Sequence, residues 1–244
     1  MELRQGEYIH RSGERVEQVV FPRSGVISLI ADASDGDAIE VAMIGHEGIL
    51  GSSAFAGSGY AINSARVQVS GRAYSIPRAR FLNAIDKSKR LGEHAARLDS
   101  ALLAQAQQAA ACNATHPAQA RICRWLLEMR DRCNSDTVPL TQELLARMVA
   151  IQRTTVNLIV GRLQASEIIR CRRGKVYVLN ATKLAQAACQ CYERMRKLRE
   201  NLYTGFVPER LSEDRMMCGY LPDAWRPSIP TSHDRTSGPT QSRP

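Results

Sequence analysis

The chain is poor in aromatic residues, at 5%, and contains no uninterrupted apolar run of membrane-spanning length. Crossing a bilayer takes about 18 apolar residues without charge, so no membrane span is expected. The first residues, MELRQGEYIHR, alternate charge with apolar side chains and lack the hydrophobic region of a signal peptide, so a cytoplasmic location is expected. The cysteines form no CxxC steps and are odd in number: Cys112, Cys123, Cys133, Cys171, Cys189, Cys191 and Cys218. In a cytoplasmic chain these read as reduced thiols rather than a disulfide framework. Also missing are a phosphate-cradling glycine loop, a nucleophile elbow and any His/Asp/Glu group at metal-ligand spacing. Nothing is left to assign to catalysis, and the chain is not expected to be an enzyme.

What is present is a surplus of positive charge in one place. Residues 1–116 hold 12 Lys/Arg and 12 Asp/Glu, and residues 204–244 hold 5 of each. Residues 117–203 hold 16 Lys/Arg against 7 Asp/Glu, so the whole net charge of +9 lies there. Such a field attracts polyanions, because neutralised phosphates release condensed counterions. A solvated basic face would carry the same charge, and position has to separate the two.

From Gly6 to Pro77, short β-runs are punctuated by Gly and Pro: Val19–Phe21, Val26–Ile30, Ile39–Ile44, Ala65–Val69 and Ala73–Ile76. This spacing predicts a small antiparallel barrel or sandwich, with a turn at Asp35-Gly36-Asp37. After Pro77 the period becomes helical. Leu91, Ala95, Leu98, Leu102, Gln105, Ala109 and Cys112 step by fours and threes, a heptad seam that packs one helix on another. It can face a symmetry mate or the chain's own β-domain; the polar Gln105 at a core position favours a dimer. His116-Pro117 breaks the helix. A further helix is expected over Ala118–Arg132, then a loop over Asn134–Pro139. The domain expectation is a β-roll over 1–85, a dimerisation helix over 86–115 and a third, basic domain over 117–203. The tail, 204–244, is too polar to offset its ordering entropy and is expected to be largely disordered.

Leu140–Leu163 reads as two helices joined by a tight turn. Thr141 suits an N-cap, with Glu143 near the positive end of the helix dipole. The second helix buries Val156, Ile159, Val160 and Leu163, which leaves Gln152, Arg153, Thr154, Asn157 and Leu158 facing outward at its amino-terminal end. A helix of this shape fits the major groove and reads base edges from its first turns. Arg153 can offer two parallel donors to a guanine, Asn157 stands beside it, and Thr141, Gln152 and Thr155 can reach phosphate oxygens. Immediately after, Ile168–Leu179 reads as a hairpin with Gly174 at its tip, and its Arg172, Arg173 and Lys175 suit phosphate contact. Helix-turn-helix, basic wing and charge surplus coincide.

The constellation resembles the Crp/Fnr family of bacterial transcription regulators over most of residues 1–180. Thr141, Arg153, Thr155, Val156 and Leu163 are similar to that family's helix-turn-helix, and Pro22–Ile27 is similar to a strand-turn-strand of its effector domain. The resemblance implies an α+β fold: a β-roll of the cyclic-nucleotide-binding kind, a long dimer helix and a carboxy-terminal winged helix-turn-helix. It implies a base-reading role for Arg153, with Thr154 and Leu158 at two positions often held by Glu and Arg. Ala150 stands where the turn usually has glycine. The implied partners are double-stranded DNA, a second copy of the chain and RNA polymerase, with an effector left open. Gly51-Ser52 and Asn63-Ser64 replace the family's ribose-binding carboxylate and phosphate-binding arginine, so cyclic nucleotide is not expected. No cysteine precedes Cys112, which argues against an iron–sulfur cluster of the family's oxygen-sensing kind.

Cys189 and Cys191 lack two further ligands nearby in sequence, and helical periodicity would turn them about 200° apart, so no metal is expected. His46-Glu47 reads as a solvated pair in a turn. The resulting expectation is a homodimer whose recognition helices, at about 152–164, read a near-palindromic operator with half-sites about one helical turn apart. The competing reading is a ligand- or protein-binding regulatory module that never touches DNA.

Overall fold

The computed structural model describes residues 1–32, 38–52 and 59–203. The expected turn at Asp35–Asp37 and the tail from 204 lie outside the described residues, as do residues 53–58.

The amino-terminal part is a roll of two antiparallel sheets. One runs in the order β1 (Glu2–Leu3), β7 (Gly71–Pro77), β3 (Gln18–Pro22). The other runs β2 (Tyr8–His10), β6 (Ser64–Val69), β4 (Val26–Asp32), β5 (Ala38–Ile44). All the expected β-runs are strands, because β-branched residues alternate with polar ones on a pleat whose inner face is filled. Val20, Ile27, Ile44, Leu50 and Val67 are buried together between the sheets. The turn from β3 to β4 needs glycine: Gly25 has φ +84°, and a Cβ there would stand 2.5 Å from the Val69 carbonyl oxygen.

Two helices follow. α1 (Arg78–Lys87) buries Phe81, whose ring meets Phe21 edge-on at 6.0 Å. α2 (Lys89–Thr115) begins at Ser88, whose hydroxyl accepts the Leu91 amide, and ends where His116 turns extended before Pro117.

The heptad seam of α2 is turned inward, which corrects the expectation that it faces a second copy. Ala95 and Leu98 are buried with Val19, Ile49 and Phe81. Leu91 packs on that same cluster and Leu102 on the core of the roll. Gln105 is bonded to both backbone groups of Met43, at 3.1 Å and 3.3 Å. Farther along, Ala109 lines a small cavity beside Trp125, and Cys112 is buried 3.9 Å from Cys189. The periodicity correctly marked a packing stripe. It could not say which surface would fill it, and the roll is tethered to α2 through a short helix, so it reaches that stripe within one chain.

The carboxy-terminal part is built around α3 (Ala118–Cys133), in which Ile122, Trp125, Leu126 and Met129 are buried. Asn134 ends it in the left-handed region, at φ 45°. The expected loop over Asn134–Pro139 contains a strand instead. This β8 (Thr137–Pro139) pairs with β10 (Lys175–Val178), and β10 pairs with β9 (Ile169–Arg172). Three residues with one buried side chain, Val138, are too few for alternation to show. α4 (Gln142–Met148), α5 (Arg153–Ala165), α6 (Ala181–Ala187) and α7 (Cys191–Tyr203) complete the part. Its core runs on into the roll, because Val26, Ile30 and Met43 belong to the same buried cluster as α3, α4 and α5.

Candidate nucleic-acid interface

The helix-turn-helix forms for local reasons. Thr141 accepts the Leu144 amide at 3.2 Å and starts α4, and Glu143 in the first turn pairs with Arg147 at 2.8 Å. The turn to α5 passes through Ala150 in the left-handed region, at φ 51°. This is the position where a glycine was noted as missing, and the alanine Cβ is accommodated with strain. Val156, Ile159, Val160 and Leu163 are all buried, so α5 can lie only one way round.

The opposite face carries the expected reading residues. Gln152, Arg153, Thr154, Asn157 and Leu158 are exposed, and Thr155 is half-buried. Arg153 has no ion-pair partner among the described residues, and Leu158 shows 65% of its surface. No acidic residue lies in the first turn of α5, and among the described residues no side chain caps it, which leaves its first amides without a side-chain partner.

The wing is a tight hairpin. Arg173 and Gly174, with φ 49° and 71°, form the two-residue turn that matches strand twist. The Gly174 carbonyl accepts the Leu140 amide at 2.9 Å, which brings the hairpin tip beside Thr141. Thr141, Arg172, Arg173 and Lys175 are therefore exposed in one patch, while Gln152 and Thr155 stand at the start of α5. Gln164 accepts the Cys171 amide at 2.8 Å and ties the far end of α5 to the wing.

A second site lies between the roll and α2, a cavity of about 250 Å³ lined by His10, Ser52, Asn63, Asp99 and Leu102 among others. Ser52 donates to Asp99 at 2.6 Å, and burial raises the Asp99 carboxyl although this bond lowers it. Burial lowers His10. No Lys or Arg lines the cavity among the described residues, and the sequence of residues 53–58, SAFAGS, contains none.

Two sequence readings change on contact with the structure. Glu47 is not solvated: it meets the buried guanidinium of Arg132 at 2.7 Å, and Arg132 also donates to Gln105 at 3.1 Å. The other concerns Cys189 and Cys191. Cys189 precedes α7 and Cys191 opens it, so helical periodicity does not govern the pair, and their sulfurs converge with Cys112 and His116. Burial and the neighbouring thiols push the Cys189 thiol up to about 12. Contacts across 77 residues of chain left no trace in local spacing.

Residues 1–88 match the family model described as cyclic nucleotide-binding domain, and residues 120–187 match the one described as Crp-like helix-turn-helix domain. Among curated proteins no significant relative was found. Solved structures are similar in fold. FixK2 from Bradyrhizobium japonicum aligns with TM-score 0.66 at 17% identity, over 78% of this chain and 96% of its own. A CRP-family transcriptional regulator from Thermus thermophilus aligns with TM-score 0.64 at 21% identity, over 78% and 98%. The c-di-GMP-responsive regulator CLP from Xanthomonas campestris aligns with TM-score 0.60 at 17% identity, over 74% and 93%. No helix among the described residues is long and apolar enough to cross a membrane. With a roll that matches the cyclic nucleotide-binding domain model followed by a Crp-like helix-turn-helix, the chain belongs to the Crp/Fnr family of DNA-binding transcription regulators.

Proposed function

We propose that the protein reads a near-palindromic operator as a homodimer, with α5 of each copy in the major groove and each wing on the flanking phosphates. The observation that carries this is the freedom of Arg153: an exposed guanidinium at the open end of a helix whose other face is locked into the core. Arg153 is assigned to a guanine through two parallel bonds, Thr154 and Asn157 to neighbouring base edges, and Leu158 to a thymine methyl. Thr141, Gln152, Thr155, Arg172, Arg173 and Lys175 are assigned to phosphates, which fix the register without reading sequence. The proposed parts are a roll over 1–85, a helical connection over 86–115 and a reading domain over 117–203.

Dimerisation is assigned to the outward face of α2. Ala96, Ser100, Leu103, Gln107, Ala110 and Ala114 are all exposed and step by fours and threes, one or two positions on from residues of the buried seam. Small residues allow close backbone approach, and Leu103, 60% exposed, supplies the apolar knob. The effector cavity is proposed not to take a cyclic nucleotide, since a buried phosphodiester would face Asp99 with no Lys or Arg among the described lining residues to compensate it.

The test is selection of bound sequences from random duplex DNA, followed by titration at several salt concentrations. A near-palindromic motif with half-sites about one helical turn apart is expected, with affinity falling steeply as salt rises. Failure to enrich any motif, together with affinity indifferent to salt, contradicts the proposal.

A further inference from the structure

Cys112 and His116 stand one helical turn apart at the end of α2, and Cys189 and Cys191 flank Gln190 in the connection from α6 to α7. One pair comes from the helix ahead of the reading domain and the other from that domain's α6–α7 connection, and they meet. Their four ligand atoms lie within 4.8 Å of one another. Cys112 Sγ is 3.9 Å from Cys189 Sγ, and Cys191 Sγ is 3.9 Å from His116 Nδ1. A tetrahedral zinc ion with sulfur at about 2.3 Å and nitrogen at about 2.0 Å separates its sulfurs by about 3.8 Å and sulfur from nitrogen by about 3.5 Å. The two closest pairs are within a few tenths of an ångström of those separations, and the widest must close by at most about 1.3 Å for all four to meet one ion. A four-iron cluster spreads its cysteines around a cubane and needs more room than this.

The surroundings fit the same ion. Cys112 and Cys189 are buried while His116 and Cys191 are half-buried, so the cluster is shielded from solvent yet reachable. Gln108 donates its side-chain amide to Cys191 Sγ at 3.1 Å and to Cys112 Sγ at 3.4 Å, the kind of outer hydrogen bond that orients metal thiolates. The guanidiniums of Arg121 and Arg124 act electrostatically on Cys112, and Arg124 on Cys189 as well. Each has a buried Nε without a hydrogen-bond partner. Three thiolates around a divalent ion leave one negative charge; Arg121 stands beside it, while Arg124 is also paired with Glu128 at 2.6 Å.

We propose that Cys112, His116, Cys189 and Cys191 form a mononuclear zinc site that ties the end of α2 to the start of α7. On binding, each of the three thiols gives its proton to solvent as its sulfur bonds the ion, and neutral His116 donates a ring-nitrogen lone pair. No electron is transferred. The tie fixes how the reading domain is carried on α2, a role that does not depend on which bases α5 reads.

The test uses the full chain, reduced under anaerobic conditions, stripped with a chelator and titrated with Co(II) and then Zn(II). One cobalt per chain is expected, with the intense ligand-field bands of tetrahedral geometry and thiolate-to-cobalt charge transfer, both abolished by one equivalent of zinc. Cys191→Ser and His116→Ala, at the half-buried positions, are each expected to weaken uptake by more than about 100-fold, beyond what outer partners contribute. Cys123→Ser and Cys171→Ser are expected to bind as wild type does. Circular dichroism of the metal-free variants checks that they fold. A wild-type protein that takes up no cobalt, or gives an octahedral spectrum, overturns the proposal. So does retention of wild-type uptake by both ligand variants. Because the readout is the metal, it is independent of DNA binding.

Discussion

Trp125 donates its indole N–H to Glu40 at 2.6 Å, so α3 is hydrogen-bonded to β5, an edge strand of the roll. Ser28 from β4 donates to the other carboxylate oxygen, and Glu128 and Arg132 of α3 face the same group. The carboxyl is fully buried, and desolvation pushes it up to about 7 against the two hydrogen bonds.

Stability should therefore depend on pH through this group. Between about 4.5 and 7 the native state holds a proton that the unfolded chain has released. The contribution is complete below about 4.5 and is lost as pH rises through 7, on the order of 3 kcal/mol in all. Glu40→Gln, which keeps an acceptor for Trp125, should flatten the decline and be more stable than wild type at pH 8. Urea unfolding at a series of pH values, followed by Trp125 fluorescence, measures this. Parallel profiles for the two proteins would refute it.

Ala150→Gly should stabilise the protein by up to about 1 kcal/mol, because the turn holds an L-residue at φ 51°. Operator affinity should be unchanged. A denaturant midpoint that falls on this substitution would show that the alanine is not strained.

The two faces of α2 should respond differently to substitution. Leu98→Ala removes a side chain buried against the roll and should cost 2–5 kcal/mol of stability, in the range for such truncations. Leu103→Glu should leave the fold intact and shift the protein from dimer to monomer in sedimentation. A dimer that survives Leu103→Glu would place the contact elsewhere.

Cyclic AMP and cyclic GMP should leave the melting temperature unmoved at millimolar concentration, since a ligand bound to the native state must raise it. A rise with either nucleotide would mean that the cavity beside Asp99 finds a compensating cation.

Much of this was legible in the chain. The five longer strands of the roll, the buried side of α5 and the outward Arg153 follow from local runs and periods, which report on one element at a time. Ala150 was visible as an odd residue at a glycine position, and its φ bears that out. What local pattern could not supply was the partner across space. The seam from Leu91 to Cys112 gave a correct stripe and the wrong neighbour. Glu47 looked like a loop carboxylate until Arg132, far along the chain, was found against it. Cys189 and Cys191 looked two ligands short because the other two, Cys112 and His116, come from another helix.

The central claim is that α5 reads bases through Arg153, and the direct measurement is binding of wild type and Arg153→Ala to the selected operator and to versions changed at each base pair. The variant should lose about 1–3 kcal/mol on the operator and become indifferent to one base pair per half-site, with its salt dependence little altered. A variant with the wild-type footprint and the wild-type preference at every position would contradict the assignment.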